Sequence, residues 1–210
     1  MIEVFEDIIQ GTDEWLRVRA GIPTASRFAD VMAKKGPRGG IPKGRAKYMR
    51  VLAGEVITGE PAPSYSNAHM ARGTDREAEA RDLYAVMRDV DPVQVGFIRN
   101  GHCGGSPDSL VGNAGMVEIK DAIPDIQIER LEAGTLPSEH KAQCMGNLMV
   151  ADREWIDFVS HSRGLPPLIV RVYRDETYIK ELAVAVAQFV EDLHEKIEWI
   201  RNYQPMKESA

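Results

Sequence analysis

The residues best suited to chemistry lie between Ser106 and Lys120, in the run Ser-Pro-Asp-Ser-Leu-Val-Gly-Asn-Ala-Gly-Met-Val-Glu-Ile-Lys. Two short apolar runs carrying acids flank a Gly-Asn-Ala-Gly turn, so the stretch is expected to fold as a β-hairpin. Strand alternation puts Glu118 and Lys120 on one face and Val117 and Ile119 on the other. The hairpin returns Asp108 to the side of Glu118, which gathers two carboxylates and an ammonium. Hard oxygen donors of this kind suit Mg²⁺, with Mn²⁺ as a substitute. Such an ion polarises a phosphodiester and acidifies a bound water, while a lysine orients that water or neutralises developing charge. A plain surface hairpin with a cross-strand salt bridge is the alternative that the local sequence leaves open.

A second group lies upstream. Thr24 and Ser26 sit where a helix spanning about 26–35 should begin, and Arg19 precedes them by one loop. Free N–H groups, two hydroxyls and a guanidinium form a candidate anion site, though a well-capped helix would look the same. Lys34, Lys35, Arg38, Lys43, Arg45, Lys47 and Arg50 follow with no acid among them, on a Gly- and Pro-rich loop and the helix after it. Such a segment can steer phosphate even though the whole chain carries a net charge of −6. His102, Cys103, His140 and Cys144 give a zinc alternative, because His140 and Cys144 lie one helical turn apart.

The 210 residues, 43% hydrophobic and 28% charged, are ordinary for one globular domain, here taken as 1–210. No apolar run has the length of a membrane span, and the first residues lack a signal-peptide pattern. The two cysteines make no disulfide framework, so a cytoplasmic location is expected. Helices are expected at 13–19, 26–35, 45–58, 67–86, 124–131, 137–150 and 175–202, from apolar spacing and caps. Strands are expected near 2–10 and at 93–99, 154–160 and 168–173, besides the hairpin. The class is therefore α/β or α+β, with helices flanking a central sheet. The 67–86 helix carries Glu77, Glu79 and Asp82, any of which could add a third carboxylate to the hairpin site.

Several segments together resemble the lambda-exonuclease-like alkaline nucleases, the YqaJ-type viral recombinase family. They are Gln10-Gly11-Thr12-Asp13-Glu14-Trp15 through Arg19, Gly21-Ile22 and Thr24-Ala25-Ser26. Further along they are Arg72-Gly73 through Glu77, Ala80-Arg81, Ser106-Pro107-Asp108, Glu118-Ile119-Lys120 and Ala142-Gln143. The resemblance covers roughly residues 10–150 and implies a restriction-endonuclease-like core: a mixed β-sheet flanked by helices with a PD-(D/E)-x-K site. It implies Asp108, Glu118 and Lys120 as catalytic residues, and Glu77, Asp108, Glu118 and the Ile119 carbonyl as metal ligands. Glu79 competes with Glu77 for that place. It assigns Arg19, Ser26, Ser106 and Gln143 to a 5′-terminal phosphate and Met70 to a wedge that parts the duplex end. Arg38, Lys43 and Arg45 are taken as DNA contacts. Met145 and His140 depart from the family pattern, where glutamine and an aromatic are usual.

The implied activity is that of a Mg²⁺-dependent 5′-to-3′ exonuclease acting on double-stranded DNA ends, leaving a 3′ overhang. The family's biology implies a phage or prophage setting in a bacterial host, a single-strand-annealing protein as partner and a homotrimeric ring. A restriction-type endonuclease and a catalytically silent DNA-binding phage protein on the same core are the alternatives. The first would need a base-reading element that the sequence does not display.

Overall fold

The computed structural model describes residues 1–34, 40–63 and 68–204, with 68–75 described at the backbone alone. Arg38 and the side chain of Met70 lie outside the described residues. Two sheets organise the chain. The larger has five strands in the order β2 (Pro92–Val93), β5 (Ser109–Val111), β6 (Gly115–Asp121), β7 (Trp155–His161) and β8 (Leu168–Tyr173). Only β6 and β7 run parallel. A smaller antiparallel sheet holds β1 (Ile2–Phe5), β3 (Phe97–Asn100) and β4 (Cys103–Gly105).

The parallel pair requires a crossover, supplied by α5 (Pro124–Ala133) and α6 (Ser138–Ala151). Pro124 opens α5, and Gly134 closes it in the left-handed conformation at φ 61°. Two faces of the large sheet are buried differently. Val117, Ile119 and Val159 meet Ala80 and Tyr84 of α4 (Ala68–Arg88). On the other face Met116, Ile156 and Phe158 join a larger core with α6 and with α7 (Glu176–Arg201). Ile179, Leu182, Val186, Phe189, Leu193 and Ile197 form the buried stripe of α7, at the spacing of one helix face. That core also takes in α2 (Phe28–Met32) and α3 (Lys43–Thr58).

The sequence expectations hold for most elements and fail in three places. The strand expected at 93–99 is two strands in two sheets, divided at Gly96. Gly96 donates its N–H to the Phe5 carbonyl at 3.0 Å, and a side chain there would enter the Ile8 backbone. β4 is Cys-Gly-Gly, with almost no side-chain pattern to read. The helix expected at 26–35 is a 3₁₀ turn, Ala25–Arg27, followed by the five-residue α2. Thr24 makes no side-chain cap there, so hydroxyl capping does not build the upstream anion site.

Candidate active site

The hairpin forms as its turn chemistry dictates. Val111 pairs with Gly115 across Gly112–Ala114, and Gly112 takes φ 52°. Gly115 lies flat beneath the Trp155 indole, where a side chain would not fit. The Asp108 N–H donates to the Val117 carbonyl at 3.0 Å, extending the ladder by one bond. β6 then runs on past the end of β5, and its free edge faces Asp108. The Ile119 N–H donates to Asp108 Oδ2 at 2.5 Å. An extended residue points its N–H and C=O to the same side, so the Ile119 carbonyl faces that edge too.

Glu118 is 1% exposed and accepts three hydrogen bonds. Lys120 Nζ and Gln143 Nε2 donate to its Oε1, each at 2.5 Å, and Asn147 Nδ2 donates to Oε2 at 2.9 Å. Gln143 and Asn147 lie one turn apart on α6, so one helix face supplies both. Burial raises the Asp108 carboxyl well above the usual carboxylate range, with the Glu118 charge adding to it and Lys120 opposing. Burial also works against the Lys120 ammonium, but Glu118 and Asp108 outweigh it and hold its pKa above that of free lysine.

Glu77 is turned toward this group from α4. Burial raises its carboxyl, Arg81 and Lys120 pull it back, and Glu118 raises it again. Its Oε1 accepts from Arg81 Nη2 at 2.5 Å. Glu79, the competing acid, faces outward and pairs with Arg163 at 2.6 Å. Among the described residues no three His, Cys, Asp or Glu side chains stand close enough together to hold a metal. This also removes the zinc alternative: His140 Nε2 instead lies 3.0 Å from Arg130 Nη2, and its ring stacks on Phe158. The donor set nevertheless fits a hard divalent cation. Two buried carboxylates and a carbonyl converge on one edge, and their mutual repulsion is the cost that such a cation removes.

The second group forms a small cleft of about 200 Å³ lined by Arg19, Thr24, Ser26, Arg27 and Tyr48 among others. Arg19 stacks over the Trp15 ring at 3.9 Å and donates to Thr24 Oγ1 at 3.2 Å. Ser106 approaches the same tryptophan, accepting from its Nε1 at 3.0 Å. The Tyr48 hydroxyl accepts from the Thr24 N–H at 2.9 Å, and Arg27 lies over the Tyr48 ring. Arg19 and Ser26 line this cleft, and Ser106 joins it through Trp15, whose ring Arg19 covers. Gln143 is spent on Glu118. Arg45 is not a free cation either, because Asp192 of α7 holds it at 2.9 Å. Lys43 is exposed at the start of α3.

Asn147, Tyr48 and Arg27 are absent from the expected set. Asn147 shares a helix face with His140 and Gln143, which was the one available signal. The others depend on contacts between distant segments.

The YqaJ-like viral recombinase domain matches residues 14–154. The chain belongs to that family. It is similar to an alkaline exonuclease, LHK-Exo, from Laribacter hongkongensis: 32% identical over 90% of this chain and 96% of that one, with a TM-score of 0.80. The same exonuclease in complex with dAMP matches at 34% identity over the same shares, with a TM-score of 0.82. A phage-related exonuclease from Haemophilus somnus 129PT shares the fold at 15% identity, with a TM-score of 0.63 over 85% of this chain and 96% of that one. No curated protein matches the sequence. The family match spans Asp108, Glu118 and Lys120, so the hairpin site lies inside the shared domain.

Proposed function

We propose that this YqaJ-family chain is a Mg²⁺-dependent exonuclease that digests the 5′-ended strand of linear duplex DNA and leaves a 3′ overhang. One observation carries the reading: Asp108, Glu118 and Lys120 converge on the free edge of β6, in a chain about a third identical to an alkaline exonuclease. Asp108, Glu118 and the Ile119 carbonyl would hold the metal, with Glu77 joining if it leaves Arg81. Mn²⁺ has the same preference for oxygen donors and should substitute. The bound cation supplies Lewis acidity toward the phosphodiester and a more acidic water.

The chain's own residues do the rest. Gln143 and Asn147 fix the Glu118 carboxylate, so its orientation does not depend on the ligand. Lys120, whose ammonium rests on Glu118, would donate to the attacking water or to a phosphate oxygen. Arg19, Ser26 and Ser106 are placed to receive a 5′-terminal phosphate, which makes the digestion directional. A guanidinium held over an indole keeps its planar fork ready for phosphate. This corner rests on side chains alone, since the turn behind it is too short for a helix dipole.

The reading includes a homotrimeric ring around the duplex and a single-strand-annealing protein that takes the 3′ overhang, in a phage or prophage setting in a bacterial cytoplasm. No described helix is long and apolar enough to cross a membrane. Strand-specific labels on 5′-phosphorylated linear duplex, with circular duplex beside it, test the core of the proposal. Linear DNA should lose its 5′-ended strand with Mg²⁺ and be spared with EDTA, and circles should survive. Lys120→Ala should slow the reaction at least about a hundredfold. Cutting of circles, or a Lys120→Ala enzyme of near-normal rate, would turn the reading toward an endonuclease or move the site elsewhere.

A further inference from the structure

Beyond Lys120 stands a cation with no part in the chemistry described so far. Arg130, in the last turn of α5, has a side chain only 13% exposed. Its Nη1 donates to Ser160 Oγ at 3.0 Å and its Nη2 to His140 Nε2 at 3.0 Å. Neither partner is an acid. The carboxylate that pairs with it, Glu139, stands off at 3.7 Å on a side chain 62% exposed. Burial, then the charges of Lys120 and Arg130, push the His140 pKa down to about 4, so its ring is neutral and Nε2 accepts. A buried guanidinium whose fork is fixed by neutral groups keeps its charge for an incoming anion.

Its position follows from strand register. Ser160 is the partner of Lys120 across the parallel β6–β7 pair. Both side chains therefore rise from the same face of the sheet, on strands about 5 Å apart. The Ser160 hydroxyl that anchors the Arg130 fork therefore neighbours the Lys120 side chain. α6 then gives the order of the groups along the site. Asn147 and Gly146 lie against Ala25 and Gly105, next to the Ser26–Ser106 corner. Gln143 sits on Glu118, and His140 on Arg130. From Asn147 to His140 is about 10 Å along the helix axis. The end-binding corner, the scissile site and Arg130 thus follow one another along one helix.

We propose that Arg130, held by Ser160 and His140, binds the phosphodiester immediately 3′ of the scissile one, on the strand that remains after each cut. The inference rests on the exonuclease reading, with the 5′ end lodged at Arg19. It gives the enzyme a grip on both sides of the reacting phosphate, so the strand is held in register when the terminal nucleotide leaves.

A single uncharged linkage tests this. One 5′-phosphorylated linear duplex carries only natural linkages; a second carries a methylphosphonate at the second phosphodiester from the 5′ end. First-turnover release of the terminal nucleotide is measured with Mg²⁺. The wild type should be about 10- to 100-fold slower on the neutral linkage, the effect of losing a charge-assisted contact. Arg130→Met should be slow on the natural duplex and show little further loss on the modified one. Arg130→Lys, which keeps the charge and loses the fork, should retain part of the discrimination and serves if the methionine variant does not fold. A wild type indifferent to the methylphosphonate, or variants that keep its full sensitivity, would overturn the assignment. Failure of the wild type on the natural duplex would instead sink the exonuclease reading, and this inference with it.

Discussion

Glu118 shows how a buried charge is made tolerable by named neighbours. A carboxylate at 1% exposure is costly unless its lone pairs are satisfied, and here an ammonium and two amides satisfy them. Asn147 is the most enclosed of the three. It is itself buried, its Oδ1 has no partner, and the bare Cα of Gly105 is what leaves room for that oxygen. An amide kept in place with half its capacity unused is held for its other half, the bond to Glu118. Groups that orient metal ligands typically change metal affinity by about 10- to 100-fold when removed. Asn147→Ala should therefore weaken Mn²⁺ binding by about tenfold in titration calorimetry, in the absence of DNA. Unchanged Mn²⁺ affinity would reduce Asn147 to a packing residue. The grouping of Asp108, Glu118 and Lys120 was legible in the sequence because a short hairpin fixes their relation locally. The contacts of Gln143, Asn147 and Arg130 were not, because they depend on where the crossover helices land on the sheet.

Among the elements, α6 connects the parts. Its middle serves Glu118, and its first turn is docked by His140, whose ring lies on Phe158 with centroids 5.0 Å apart. An aromatic was expected at this position, and the stack on Phe158 explains why an imidazole can replace it. The replacement carries a pH dependence. An unfolded chain binds the histidine proton near pH 6.5, whereas the folded site resists it down to about 4. The folded pKa is depressed, so this group's contribution is fully present above pH 6.5 and drains away as the pH falls toward 4. The whole effect is at most about 3 kcal/mol. His140→Phe keeps the stack and removes the proton. In urea titrations from pH 7.5 to 5, the variant should lose about 2 kcal/mol less stability than the wild type. Parallel profiles would show that the folded protein takes up the His140 proton as readily as the unfolded chain does. Most of the element plan was readable from apolar spacing and caps, as at α1 (Asp13–Arg19), where Thr12 Oγ1 accepts from the Trp15 N–H. It failed where backbone approach overrides side-chain pattern: at Gly96, pressed on Ile8, and in the Cys-Gly-Gly strand.

At the scale of the whole molecule, charge raises a question that one subunit does not answer. The chain is acidic overall, with a net charge of −6, yet the proposed substrate is a polyanion. Basic groups are concentrated around residues 34–50, and Arg45 among them is already neutralised by Asp192. Among the described residues of that stretch Lys43, Lys47 and Arg50 are exposed, but they act against a net negative molecule, so attraction from one subunit is a weak hold on a duplex while the site is reset between cuts. A closed ring removes that difficulty, because DNA threaded through it is retained by topology and needs only modest attraction. Exposed apolar side chains such as Val86, Val184 and Trp199 are available to be covered in such an assembly. Light scattering should report the mass of three copies of the 23.4-kDa chain at micromolar concentration. The same picture fixes the response to salt. Phosphate contacts weaken as counterions compete, so the rate of starting on an end should fall steeply with added salt. The number of nucleotides removed per encounter should fall far less, since a threaded ring does not let go when its charges are screened. A monomer in solution, or a run length that collapses in step with end binding, would leave retention to be explained by surface contacts on one subunit.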